Sequence, residues 1–258
     1  MTAPDTHELM NELSLDKTLL AVRDAVLREA PDLTGNYLDI GSGTGALIQL
    51  IKDSFPDLES SVCDYSDEFM KIPAQKVDIV DLNNGNLPYD DNSFDLITFT
   101  EVAEHLENHY AILREMYRVL KPEGLLVMTT PNILNLKSRI RFFFYGFWNF
   151  FGPMPVGHDS PESTMGHITP LSYFYLGHSL LDTGYKKLHC GFDKFNARSI
   201  IALILCYIPI RLFTVRQMRR EARKYQAIDD SNRELMEPLN SWQMLLGRSI
   251  VVSARKDS

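Results

Sequence analysis

Asn36-Tyr37-Leu38-Asp39-Ile40-Gly41-Ser42-Gly43-Thr44-Gly45, running on into Ala46-Leu47-Ile48-Gln49-Leu50-Ile51, is the stretch that decides the fold. A β-prone apolar run ends in a carboxylate, breaks at three alternate glycines and resumes with helical apolar spacing. The pattern predicts a strand over 37–40, a tight turn, and a helix over 44–53. Glycine lets such a turn take positive φ and lets a ligand approach the backbone closely. The free N–H groups at the helix start can then receive that ligand. Gly41, Gly43 and Ala46 also satisfy the relaxed dinucleotide pattern G-x-G-x-x-[GA], with Asp64 about 20 residues further on. Taken alone, the stretch admits more than one nucleoside cofactor.

Outward from it, strands and helices alternate. Upstream, Leu9, Leu13, Leu19, Leu20, Val22 and Val26 recur at helical spacing, and Ser14-Leu15-Asp16 suggests a break, so two short helices are expected within 1–35. Downstream, strands are expected over 60–63, 77–80, 94–100 and 125–130, with a helix over 109–120 closed by Lys121-Pro122-Glu123-Gly124. A helix over 171–183, closed by Gly184, leads to strands over 185–190 and 249–253. This alternation predicts an α/β fold: a doubly wound, Rossmann-like, mostly parallel seven-stranded sheet in a single domain, with ligands at the carboxyl ends of its strands. Residues 36–132 form the expected cofactor-binding core. Helical insertions are expected after strand five (133–170) and between strands six and seven (196–247), where a tight hairpin would have sufficed.

The chain has 258 residues, 45% hydrophobic, with a net charge of −8. An acidic balance argues against nucleic-acid binding, which favours a basic face. Cys63, Cys190 and Cys206 lack paired spacing, so neither a disulfide framework nor a cysteine metal site is expected. With Pro4, Asp5, His7 and Glu8 near the start, no secretory signal is expected, and a cytoplasmic location is the reading.

Three carboxylates, Asp39, Asp64 and Asp81, close the first three strands and would line one crevice. Asp64 suits two ribose hydroxyls, because a carboxylate can accept from both. Asp81 followed by Leu82 suits an adenine, the acid accepting from its amino group and the next N–H donating to a ring nitrogen. Asp39 decides between cofactors. An acid two residues before the first glycine would repel a pyrophosphate and attract an ammonium or sulfonium group. An adenosine joined to a cation is expected. Tyr117-Arg118-Val119-Leu120-Lys121 has the Tyr-x-x-x-Lys spacing of short-chain dehydrogenases. Lys121 precedes Pro122 at a helix end, however, and no serine stands about a dozen residues upstream to complete that nicotinamide-dependent constellation.

Asp39-Ile40-Gly41-Ser42-Gly43-Thr44-Gly45 resembles the D-x-G-x-G-x-G motif of the class I S-adenosylmethionine-dependent methyltransferases. The runs Leu87-Pro88-Tyr89, Ser93-Phe94-Asp95, Glu101-Val102-Ala103-Glu104-His105-Leu106 and Thr129-Thr130-Pro131-Asn132 are similar to one branch of that family. It contains the ubiquinone-pathway O-methyltransferases and many enzymes of lipid and glycan pathways. The resemblance implies S-adenosylmethionine as cofactor. Asp39, Gly41, Ser42, Gly43 and Gly45 would hold its methionine part, Asp64 with Tyr65 the ribose side, and Asp81 with Leu82 the adenine. Glu123 departs from the family pattern, which has a second glycine there; Pro122 and Gly124 still allow a type I turn.

Glu101, Glu104 and His105 follow strand four and share one face if the segment is helical. Glu101 is expected to contact the cofactor and His105 to act as general base toward a substrate hydroxyl. A divalent ion held by the trio, as the similar Glu-x-x-Glu-His of ubiquinone-pathway methyltransferases suggests, is an alternative; capping and core support is another. Gly166-His167-Ile168-Thr169-Pro170 resembles a stretch of the same branch, which makes His167 a substrate-side candidate; His158 and Tyr173 offer further polar groups. The insertions carry Phe142-Phe143-Phe144-Tyr145 and Ile200-Ile201-Ala202-Leu203-Ile204-Leu205. The uncharged run between Arg198 and Arg211 is shorter than the ~20 residues a membrane span needs. Arg216, Arg219, Arg220, Arg223 and Lys224 follow it. Two readings stand: a helical lid, or peripheral membrane contact through 138–151 and 199–224. The expected activity is methyl transfer to an oxygen of a small amphipathic, lipid-derived or lipid-linked acceptor.

Overall fold

The computed structural model describes residues 6–154 and 166–258, with side chains from residue 17 onward. Seven strands form one sheet in the order β3-β2-β1-β4-β5-β7-β6. They are β1 Gly35–Ile40, β2 Leu58–Asp64, β3 Asp78–Ile79, β4 Phe94–Thr100, β5 Leu120–Pro131, β6 Tyr185–Phe192 and β7 Ser249–Lys256. The first five run parallel, whereas β7 is antiparallel to both β5 and β6. The chain order reverses between β1 and β4, the topological switch point at which such sheets bind ligands.

Both faces of the sheet are covered, as parallel strands require. On one face, helix α1 (Thr6–Glu29) and helix α2 (Ala46–Ser54) lay Val22, Val26, Ile48 and Ile51 against Tyr37 and Leu96. On the other, α3 (His109–Val119) and α5 (Tyr173–Thr183) lay Ile112, Met116, Leu176 and Leu180 against Leu38, Ile97 and Phe99. Tyr37 and Leu38 are consecutive and both wholly buried, one on each face, which fixes the register of β1. Each such side chain contributes roughly 1.5–3 kcal/mol of burial free energy.

Three local expectations are corrected. The N-terminal segment is one helix, α1, without a break at Ser14-Leu15-Asp16. It contains neither glycine nor proline, and serine and aspartate cost only a few tenths of a kcal/mol in a helix interior (~0.5). Strand five starts at Leu120, and the four residues before Leu125 form a bulge against β4, where the register shifts between Phe94 and Leu96. Within that bulge Glu123 takes φ 59, the sign of a type II and not a type I turn, so a side chain stands where glycine would be unstrained. Finally, Tyr173 is not a cleft residue: its ring is 4% exposed and part of the core.

Among the described residues both insertions carry helices. The first holds α4 (Leu136–Tyr145), started by the Asn135 side chain accepting from the Ser138 N–H and ended by Gly146 at φ 77. The second holds α6 (Ile200–Arg220), followed by a π-turn over Glu221–Tyr225 and short helices Arg233–Met236 and Trp242–Leu246. Pro209 lies inside α6 without ending it. The uncharged run read as too short to span a bilayer is therefore part of a single helical rod from Ala197 to Tyr225 that is long and apolar enough to do so by length and composition.

Candidate cofactor crevice

The glycine turn sits at the carboxyl end of β1, beside β4. Gly41, Gly43 and Gly45 all have positive φ, at 76°, 49° and 81°. Two of them are also sterically required. A Cβ on Gly41 would stand 2.2 Å from Val102 Cγ2, and one on Gly45 would stand 2.8 Å from Ile72 and Met70. Gly43 has nothing within 4 Å: its backbone faces open space that a ligand can enter.

Two connected hollows flank this turn. The smaller, about 270 Å³, is lined by Asp39, Ser42, Thr44, Leu19 and Phe69. The larger, about 490 Å³, is lined by Asp64, Tyr65, Asp81, Leu82, Glu101 and His105, among others. Gly41, Gly43, Phe69 and Thr100 border both. The structure thus brings all ten residues expected to bind cofactor to one crevice edge or to the turn beneath it, and His105 with them.

Asp39 is 2% exposed and accepts from Thr98 Oγ1 at 2.6 Å, while Tyr37 Oη lies 2.8 Å from the same Thr98 oxygen. Because Thr98 has one proton and gives it to Asp39, the order of donation is Tyr37 to Thr98 to Asp39. Burial, opposed by that hydrogen bond and reinforced by the nearby Asp64 charge, pushes the Asp39 carboxyl up to about 7. A buried acid so raised is a poor neighbour for a phosphate and a ready one for a cation.

Asp64 closes β2. Its two oxygens accept from Gly43 N–H at 2.8 Å and Tyr65 N–H at 2.7 Å, so it braces the glycine turn and keeps further lone pairs facing the hollow. Asp81 caps a 3-10 turn over Leu82–Asn84, accepting from Asn83 N–H and from Asn84 Nδ2. Leu82 is buried behind it. Tyr65 is 69% exposed and its ring lies 6.2 Å from that of Phe69. Phe69 and Thr100 were missed in the sequence. Phe69 follows the β2 end in a loop without periodicity, and only tertiary structure turns it toward the crevice.

Glu101 stands at the end of β4 with φ 54, a left-handed backbone that a non-glycine residue adopts at a cost. Its N–H donates to Thr129 O, and Thr129 Oγ1 donates to its carboxyl at 2.9 Å. Burial pushes the Glu101 carboxyl up, opposed by the Thr129 hydrogen bond and the Arg248 charge. The next residues, Ala103–His105, form a 3-10 turn. The expectation that Glu101, Glu104 and His105 share one helical face therefore fails, because the left-handed residue breaks the helical path.

His167 takes the place that was expected for Glu101. The His105 and His167 rings pack edge to face at 4.7 Å, and His167 Nε2 lies 4.0 Å from Glu104 Oε1. Glu104 is wholly buried, and neither of its carboxyl oxygens has a hydrogen-bond partner among the described residues; His167 Nδ1 is likewise unpartnered. Burial, then the charge of Glu101, pushes the Glu104 carboxyl well up. Burial lowers His167 to about 4 and lowers His105 as well, the latter opposed by its hydrogen bond to the Gly166 backbone. Both shifts favour the neutral imidazole. His105 borders the crevice, whereas His167, 6% exposed, stands behind it. His158 lies outside the described residues.

The dehydrogenase-like pair is committed elsewhere. Lys121 Nζ donates to Asp95 at 2.7 Å, and the Tyr117 ring packs on Tyr185.

Residues 38–128 match a family model described as a methyltransferase domain. The chain is 27% identical over 202 residues, 72% of its own length and 82% of the relative's, to the ubiquinone/menaquinone biosynthesis C-methyltransferase UbiE of Desulfotalea psychrophila. It is 35% identical over 121 residues to the demethylmenaquinone methyltransferase of Listeria monocytogenes, covering 42% of this chain and about half, 51%, of that one. Among solved structures, a SAM-dependent methyltransferase from Archaeoglobus fulgidus superposes with a TM-score of 0.58 at 19% identity, over 98% of this chain and 100% of that one, and shows the same fold. The chain carries a methyltransferase domain over residues 38–128 and is similar to S-adenosylmethionine-dependent methyltransferases of class I architecture and to enzymes of the ubiquinone pathway.

Proposed function

We propose that the chain methylates an oxygen of a small amphipathic, lipid-derived or lipid-linked acceptor, with His105 taking the hydroxyl proton. The observation that carries this reading is the composition of the larger hollow: apolar Val102, Leu106 and Phe69 around one neutral, half-buried imidazole. Bound S-adenosylmethionine supplies a methyl group on a sulfonium, open to in-line displacement. Asp39 receives the cationic end of the cofactor, Asp64 the ribose hydroxyls, and Asp81 with the Leu82 N–H the adenine. Glu101 lines the same hollow as the turn and His105, where it orients the cofactor. A neutral His105 accepts the proton as the acceptor oxygen forms its new bond, and His167, packed behind it, keeps the ring in place.

The test is methyl transfer to a phenolic acceptor with and without an isoprenoid tail, with products assigned by mass and NMR. An O-methyl product that requires the tail is expected. His105→Gln should lower kcat by about 10²-fold or more while leaving cofactor affinity intact. A methyl on carbon, as the name of the Desulfotalea relative describes for that protein, would replace the oxygen reading.

A second reading rests on the unpartnered Glu104. Ligand atoms of Glu104, His105 and His167 lie within 4.8 Å of one another, and one carboxylate with two imidazoles is a donor set that suits a divalent transition-metal ion. These three side chains would hold the ion, which would polarise an acceptor oxygen. Metal analysis of the purified protein and calorimetry with Zn²⁺ on the parent and Glu104→Gln decide it; heat from the parent alone supports the ion, and none from either leaves His105 a free base.

A further inference from the structure

Helix α6 buries no side chain along its whole length. Its outer face is a continuous apolar stripe, with Ile201, Ile204, Leu205, Ile208 and Leu212 each 68–73% exposed. They recur at helical intervals and share one side. The opposite side, with Leu203, Cys206, Tyr207 and Ile210 only half-buried, leans on the segment Glu237–Asn240 and the helix Trp242–Leu246. A helix apolar on every side is ordinarily buried in a core or a membrane. Here the core covers one side and leaves the other open.

Charge says what covers it. The stripe runs straight into Arg216, Arg219, Arg220, Arg223 and Lys224, with Glu221 the single acid among them, on a chain of net charge −8. This combination of an exposed apolar face and a cationic end suits a bilayer whose headgroups are anionic. It would repel a second copy of α6 laid parallel to it.

Both ends of α6 are tied to the same body. Before it, Asn196 N–H donates to Leu246 O and Phe195 bridges to Gly247. Along it, Thr214 Oγ1 accepts from Asn240 Nδ2, and beyond it Leu235 returns to the core. A spanning helix would put its ends on opposite sides of the membrane, about 30 Å apart. This one lies along a surface. Arg139 on α4 also donates to Asn240 Oδ1 and Leu239 O, so the first insertion hangs on the same strut. Its tip presents Phe143 and Phe144, both about 80% exposed.

We propose that α6 is an interfacial membrane anchor, lying in the headgroup plane of an anionic bilayer with Ile204, Leu205 and Ile208 in the acyl boundary and Arg219 and Arg220 on the lipid phosphates. The inference is independent of the acceptor's identity.

Co-sedimentation of the full chain with equimolar phosphatidylcholine–phosphatidylglycerol vesicles, and with phosphatidylcholine vesicles, tests it. Salt-sensitive binding to the anionic vesicles is expected, weaker to the neutral ones. Each neutralised cation should weaken it about fivefold, so Arg219→Gln with Arg220→Gln should lose roughly 25-fold. Leu205→Glu with Ile208→Glu should abolish binding to both, and circular dichroism should confirm that these surface variants fold. No binding by the parent, or a stripe-dependent dimer in sedimentation velocity, would overturn the proposal. Resistance to alkaline carbonate extraction would replace it with a span.

Discussion

Helices α2 and α6 both carry a run of isoleucines and leucines, and they meet opposite fates. In α2, Leu47, Ile48 and Ile51 are at most 4% exposed against the sheet. In α6, the corresponding side chains remain about 70% exposed. An apolar pattern decides that a segment is helical; what covers it depends on where the chain attaches it. The first helix starts at the glycine turn and must lie on the sheet. The second hangs outside, and its stability in water comes from one side only.

The contrast can be broken at several points. The largest effect is expected from Ile48→Ala, which leaves a cavity between α2 and the sheet and should cost ~2–5 kcal/mol in denaturant unfolding. Next, Asp64→Ala removes the brace on Gly43 and the proposed acceptor for the ribose, and calorimetry should show S-adenosylmethionine affinity falling on the order of 100-fold, with NAD unbound by either protein. A loss of no more than twofold would sink the role given to Asp64.

A third, pH-dependent effect comes from Asp39, whose carboxyl is raised from 3.8 to about 7. The native state holds this proton where the unfolded chain has released it. The resulting stabilisation of the ligand-free protein is fully present below 3.8 and is lost as pH rises through about 7. Cofactor affinity should run the other way, because a cation needs the ionised acid. It should climb up to about tenfold per pH unit on approaching pH 7 and then level off. A flat profile in calorimetry, or one that Asp39→Asn leaves unchanged, would remove the cation argument. The smallest effect is expected from Leu205→Ser, within ~0.5 kcal/mol by the same unfolding measurement. If it instead matched Ile48→Ala, α6 would be covered in solution and the contrast would fail.

What could be read in advance was local. The glycine turn, the acids at the strand ends and the edges of β4 follow from residues within a few positions of one another, where sterics and periodicity act directly. The expectation of a cation at Asp39 comes from its charge and its place before Gly41, which are both properties of the chain. The pairing of Glu104 with His167 was not legible, since 62 intervening positions separate them and only packing brings the imidazole to the carboxyl. Glu101 was placed in the crevice correctly, yet its left-handed backbone, which dissolves the expected trio, is imposed by its bonds to Thr129. The length of α6 was misjudged for a different reason. Arg198 and Arg211 bound the uncharged run, but an exposed cation is compatible with a continuing helix, and Pro209 lies inside it without ending it.

The antiparallel course of β7 has a consequence for how such a protein can diversify. Ser249, where β7 begins, pairs with Pro131 at the end of β5, and Phe192, where β6 ends, pairs with Ile250. The segment joining β6 to β7 therefore departs from and returns to the edge of the sheet that carries the crevice, as does the one that follows β5. Closing a longer loop between fixed points costs only about 0.6 kcal/mol per doubling of its length. Acceptor-facing mass can be added, shortened or exchanged at that edge while the parallel half, with its glycine turn and three acids, keeps its geometry. One reaction centre can in this way be offered to water-borne or membrane-borne acceptors by replacing a single connection.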